Sequence, residues 1–126
     1  MTAQVVCPDR FINASGGAVH GEWWWTPEFP AEVRLAVGPV EWVIGRDLLT
    51  AGLEGPAGEG DVQLVPGAAA LWVDLLSPHG TVLLRGSLRR AEDFLARTWK
   101  ACPRRVESAA LDAALDAFLT EVEVQR

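Results

Sequence analysis

Tyrosine is absent from this chain of 126 residues, and histidine and cysteine occur twice each. Neither histidine suggests a metal centre: His79 falls in a turn sequence, and His20 has no second ligand at useful spacing. Cys7 and Cys102 lie far apart and follow no export signal, so they read as two reduced thiols in a cytoplasmic protein, not as a disulfide framework. No apolar run reaches the roughly 18 residues that a membrane-spanning helix requires. The N-terminal MTAQVVCPDRF puts no basic stretch ahead of an apolar core, so no signal peptide is expected.

Positive charge is also scarce. Eleven basic residues against 17 acidic ones give a net charge of −6, which repels a phosphate backbone unless the cations gather on one face. They gather in part, at Arg85, Arg89, Arg90, Arg97, Lys100, Arg104 and Arg105. Arg90 and Arg97 share a helical face, while Glu92 and Asp93 interrupt the run. With 49% hydrophobic and 22% charged residues, residues 1–126 read as a single globular domain.

Catalytic signatures are missing too. The four serines, 15, 77, 87 and 108, lie in no nucleophile elbow, and two of them read better as helix caps. The stretch Gly55 to Gly60 resembles a glycine loop but lacks the Lys-Ser/Thr of a phosphate loop and carries Glu59, with Asp61 next to it. Glu54, Glu59, Asp61 and Asp74 do not have calcium-loop spacing. No catalytic residue, cofactor or metal ligand is therefore expected.

What the chain does have is tryptophan, at 23, 24, 25, 42, 72 and 99. In Glu22-Trp23-Trp24-Trp25-Thr26, a strand would point Trp23 and Trp25 to one face and Trp24 to the other. An open face would thus expose one indole or two, and two approach the apolar area that monomers rarely leave bare. The readings are a sheet covered by the terminal helices with Trp24 partly exposed, a subunit or partner contact through Trp23, Trp24 and Trp25, or a stacking platform for single-stranded nucleic acid. Glu22 and Glu28 disfavour the last.

Alternation predicts strands over residues 3–13, 18–25, 33–37, 40–44, 61–65, 71–76 and 81–84. Gly38-Pro39 reads as a two-residue type II′ hairpin loop, and Ser77-Pro78-His79-Gly80 as a second hairpin connection. Arg46 to Ala51 is a short helix closed by Gly52, and residues 55–60 a flexible strand connection. Ser87 caps a helix with Leu88, Ala91, Leu95, Thr98 or Trp99, and Cys102 on its apolar face, ended by Pro103; Ser108 caps another with Leu111, Leu115, Phe118, Leu119 and Val122. A strand, a glycine and a helix recur at 40–53 and 81–99. The expected class is α+β, mainly antiparallel, with about seven strands, a short middle helix and two C-terminal amphipathic helices. Arg46-Asp47 admits two readings: Asp47 facing the helix dipole with Arg46 solvated, or the pair as a recognition element.

From residue 40 onwards the chain resembles the SsgA-like proteins of sporulation and cell division in filamentous, sporulating actinobacteria. The resemblance rests on Val40-Glu41-Trp42-Val43-Ile44-Gly45-Arg46-Asp47-Leu48-Leu49, then Gly52-Leu53, Gly58-Glu59-Gly60-Asp61-Val62-Gln63-Leu64-Val65-Pro66, Leu76-Ser77-Pro78-His79-Gly80 and Phe94-Leu95-Ala96-Arg97-Thr98. Ile44-Gly45 and Gln63 depart from the family's usual Phe-Ala and Arg, and the first 30 residues match poorly. The resemblance implies a Whirly-like fold, a bell-shaped trimer and a non-enzymatic role at the division septum, binding the tubulin-like division protein FtsZ or another SsgA-like protein. It raises the importance of Arg46 and Asp47 without assigning them a contact. The alternative is a Whirly-like single-stranded nucleic-acid-binding module, using Arg90 and Arg97.

Overall fold

The computed structural model describes residues 4–103. Strands β1 (Val5–Asn13), β2 (Ala18–Trp25), β3 (Glu32–Val37) and β4 (Val40–Gly45) form an antiparallel meander followed by helix α1 (Arg46–Glu54). Strands β5 (Ala57–Glu59), β6 (Val62–Pro66), β7 (Ala70–Ser77) and β8 (Gly80–Ser87) form a second meander followed by α2 (Leu88–Ala101). Pairing of β1 with β8 joins the two, giving one eight-stranded sheet in the order β4-β3-β2-β1-β8-β7-β6-β5 that curls into a half-barrel. The recurrence at 40–53 and 81–99 is thus the end of each meander running into its helix. Among the described residues no helix is long and apolar enough to cross a membrane.

The expected architecture holds as α+β but is corrected in its elements. There are eight strands in one continuous sheet rather than about seven, and two helices among the described residues rather than three. The helix expected from Ser108 lies outside the described residues. The extra strand is β5, in the Gly/Pro-rich stretch expected to be a flexible connection. Its three residues have no apolar alternation of their own and are held by pairing with β6, Ala57 opposite Leu64 and Glu59 opposite Val62. Neighbouring backbone, not side-chain pattern, makes that strand.

Both hairpin expectations hold. Val37 pairs with Val40 across Gly38-Pro39, and Gly38 takes φ +58°, the sign that the first position of a type II′ turn requires. Ser77 pairs with Gly80, and its hydroxyl donates to the Gly80 carbonyl at 2.8 Å. The start of α2 is also as expected, with Ser87 Oγ accepting from the Arg90 N–H at 3.2 Å. Helix α1 differs: it does not close at Gly52 but runs on to Glu54. Gly52 is buried inside the helix, and a Cβ there would lie 2.6 Å from Leu64 Cδ1 and 2.7 Å from Leu64 Cβ. The glycine lets α1 approach β6; it does not stop the helix.

The core lies between the inner face of the sheet and the helices. Val5 and Phe11 of β1, Trp23 and Trp25 of β2, Val33 and Leu35 of β3, Leu71, Val73 and Leu75 of β7, and Leu84 of β8 meet Leu49 of α1 and Ala91, Phe94 and Leu95 of α2. Burying each large side chain of this set stabilises the fold by about 1.5–3 kcal/mol. Where the meanders meet, β1 and β8 pair at Ile12–Arg85 and Asn13–Leu84 and then separate. The buried Asp9 carboxylate bridges the separation, accepting from the Ser87 N–H at 3.1 Å and the Arg10 N–H at 2.7 Å. That gap is where the first turns of α2 settle.

Candidate functional site

Strand parity separates the three consecutive tryptophans. Trp23 and Trp25 point inward and are fully buried, while Trp24 points outward and is half-buried. Trp23 packs edge-on to Phe11 with centroids 6.1 Å apart and stacks on Phe94 at 6.0 Å, so α2 covers it. Trp25 donates from Nε1 to the Pro30 carbonyl at 3.0 Å. Trp24 lies opposite Arg34 of β3, whose guanidinium sits 5.4 Å from its ring and bridges to Glu41 at 2.7 Å. Arg34 and Glu41 thus form a polar rim on one side of Trp24, while Val6, opposite Trp24 on β1, is 37% exposed and Val43, opposite Arg34, 53%. Thr26 does not belong to that rim, because β2 ends at Trp25 and Thr26 is buried in the following turn.

Arg46 is not solvated, which corrects one of its two expected placements. It is 1% exposed, its guanidinium carbon is 3.6 Å from the Trp99 ring centre, and it donates from Nη1 to the Thr98 carbonyl at 3.1 Å. It links the start of α1 to the end of α2. Asp47 is exposed in the first turn of α1, where its charge suits the helix dipole. Adjacent in sequence, the two side chains occupy opposite environments.

The cations of α2 fall where the helical period put them. Arg89, Arg90 and Arg97 are exposed along a groove of about 720 Å³ that also takes in Cys7, Ser87, Asp93 and Ala96. Arg90 is steadied by donating from Nη1 to the Pro8 carbonyl at 3.1 Å. Burial pushes the Cys7 thiol above its ordinary pKa, with Arg90 pulling the other way. At neutral pH it is a thiol, not a nucleophilic thiolate.

Among the described residues, an apolar surface on the outer face of the sheet is one that the sequence reading did not single out. Val65, Trp72, Arg85 and Ile12 lie opposite one another across β6, β7, β8 and β1, forming one row on the outer face of the sheet. Val65 is 44% exposed, Trp72 38% and Leu83 38%, with Leu76 beyond them at 53%. The Arg85 guanidinium lies 5.7 Å from the Trp72 ring. A depression of about 310 Å³ opens beside the row, between Trp72, Leu83, Arg85 and the β1–β2 turn at Ala14 and Gly16. The sequence carried a signal for this face: in Leu71-Trp72-Val73-Asp74, Trp72 shares parity with Asp74, and the residue on Asp74's side must face water or a partner.

Among the described residues no three or more His, Cys, Asp or Glu side chains converge into a metal-binding group. The described residues thus form a curled sheet with α1 and α2 on its inner face, an apolar outer row and a basic groove. The family described as Streptomyces sporulation and cell division protein, SsgA, matches residues 19–107. The chain belongs to that family of sporulation and cell division proteins.

Over 87 residues the chain is 41% identical to sporulation-specific cell division protein SsgB of Streptomyces coelicolor, covering 66% of this chain and 62% of that protein. It is 34% identical over 103 residues to a sporulation-specific cell division protein of Frankia casuarinae, covering 75% and 71% respectively. The matched part thus spans less than two thirds of the SsgB relative. Among solved structures, one concerns mutations in SsgB that correlate to longitudinal cell division during sporulation of Streptomyces coelicolor. It superposes with a TM-score of 0.80 at 32% identity, covering 86% of this chain and 94% of that one. An SsgA-like sporulation-specific cell division protein from Thermobifida fusca superposes with a TM-score of 0.74 at 25% identity, covering 94% and 93%.

Proposed function

We propose that this protein is a non-enzymatic, sporulation-specific division protein that helps position or assemble the septum by binding FtsZ or another SsgA-like protein. It acts in the cytoplasm at the division septum, as a homo-oligomer and specifically a trimer. The observation that carries this reading is the uncovered apolar row Val65–Trp72–Arg85–Ile12, on the sheet face that neither helix packs against. Contiguous apolar surface around an aromatic and an arginine is the composition that protein contacts favour. The names borne by its relatives supply the biological setting.

The buried members of the expected contact set, Trp23, Trp25 and Arg46, act in this reading by shaping the sheet and fixing α1 to α2. Trp24, Arg90 and Arg97 present surface to partners in this reading, and Asp47 contributes from the exposed first turn of α1. Co-sedimentation with polymerised FtsZ, and with an SsgA-like protein from the same organism, tests the partner proposal; light scattering tests the trimer. Pelleting with either protein and a trimeric mass are the expected results. A folded protein that pellets with neither, or that stays monomeric at every concentration, contradicts them.

A further inference from the structure

We infer that the groove along α2 is a second docking surface, on the opposite side of the sheet from the apolar row, and that it takes a short acidic peptide segment of a partner protein. Among the described residues, three guanidinium groups, from Arg89, Arg90 and Arg97, line it against one carboxylate, Asp93, in a chain whose net charge is −6. That local inversion of charge attracts carboxylates to this place and away from most of the remaining surface. The start of α2 adds to it, since the first turn holds no acidic residue to offset the positive end of the helix dipole. Arg90 is held in position by the Pro8 carbonyl at 3.1 Å, so less side-chain freedom is lost on binding.

The geometry favours a peptide over a nucleic acid. Arg90 and Arg97 are seven residues apart on one helix, a span of about 10 Å, which three or four residues of extended peptide match. Among the described residues no aromatic side chain lines the groove to stack a base. A longer polyanion would also have to pass Asp93 and the exposed Glu92. The inference needs only the fold and the charges, and it stands apart from whichever protein the outer face binds.

The test is fluorescence anisotropy with a labelled decapeptide of alternating Glu and Ala on the intact protein. Binding is expected at low salt, weakened at least tenfold in the double variant Arg89→Ala/Arg97→Ala, whose two side chains are exposed and whose folding is checked by circular dichroism. Arg85→Ala, on the outer face, should leave it unchanged. The bound peptide should also slow alkylation of Cys7, read by peptide mapping so that Cys102 does not contribute. Absence of binding at low salt, equal binding by the double variant, or tighter binding of a ten-residue thymidine strand than of the peptide overturns the inference. The same double variant is taken through co-sedimentation with FtsZ. Lost peptide binding with retained pelleting supports a groove separate from the division contact, and retained peptide binding refutes the groove assignment whatever the pellet shows.

Discussion

The guanidinium carbon of Arg46, the first residue of α1, lies 3.6 Å from the centre of the Trp99 indole in the last turns of α2, and 5.5 Å from the Trp25 ring. A cation that strand-and-helix patterning treats as surface is here part of the interior. It brings α1, α2 and β2 to one point, and its planar fork both stacks on an indole and reaches the Thr98 carbonyl. Replacing it by lysine keeps the charge but loses the stacked plane. Arg46→Lys is expected to lower stability by about 2 kcal/mol, read as a shift in the urea midpoint at unchanged slope. An unchanged midpoint would contradict the structural role.

The two inward tryptophans should respond differently to the same change. Trp23 Nε1 is buried without a hydrogen-bond partner among the described residues, whereas Trp25 Nε1 donates to Pro30. Trp23→Phe and Trp25→Phe both remove ring volume, but only the second strands a carbonyl. Trp25→Phe should therefore cost about 1 kcal/mol more than Trp23→Phe. Thermal melts of the two variants side by side check the order, and a reversed order counts against the assignment.

Gly52 tests the packing of α1 on β6. Alanine ordinarily strengthens a helix by nearly 1 kcal/mol over glycine. At this position the added Cβ would meet Leu64 at 2.6 Å, in a core with no slack. Overpacking of this kind costs about 1–3 kcal/mol, so Gly52→Ala should destabilise despite its better propensity. A stabilised variant would show that α1 has room against β6 for the added methyl group.

Much of this fold was legible because two periods carry it. Alternation located seven of the eight strands, Gly38 and the Ser77–Gly80 connection marked the tight hairpins, and Ser87 marked the start of α2. What was hidden depended on neighbours in space. Strand β5 exists through its pairing with β6, Gly52 answers to Leu64, and Arg46 is buried because Trp25 and Trp99 arrive from elsewhere in the chain. The outer apolar face was half legible: the parity of Trp72 with Asp74 was visible, but the alignment of Val65, Trp72, Arg85 and Ile12 needs the register of four strands.

Cys7 gives a pH-dependent readout. Burial raises its thiol pKa, so at about pH 8 iodoacetamide should alkylate it more slowly than free cysteine. For stability the sign follows from the same shift. A thiol whose folded pKa lies above its unfolded value contributes stability that is full below the unfolded pKa and is lost as pH rises through the folded one. Mass-spectrometric alkylation rates across that alkaline range check this, and a Cys7 that reacts faster than free cysteine would contradict it.

The most direct measurement is co-sedimentation with polymerised FtsZ of the wild-type protein and of Trp72→Glu, a change on the exposed face of β7 that leaves the core residues untouched. If the outer face is the division contact, the wild type pellets with the polymer and the folded Trp72→Glu variant stays in the supernatant, at least tenfold weaker in binding. If the variant pellets as well as the wild type, that face is not the contact.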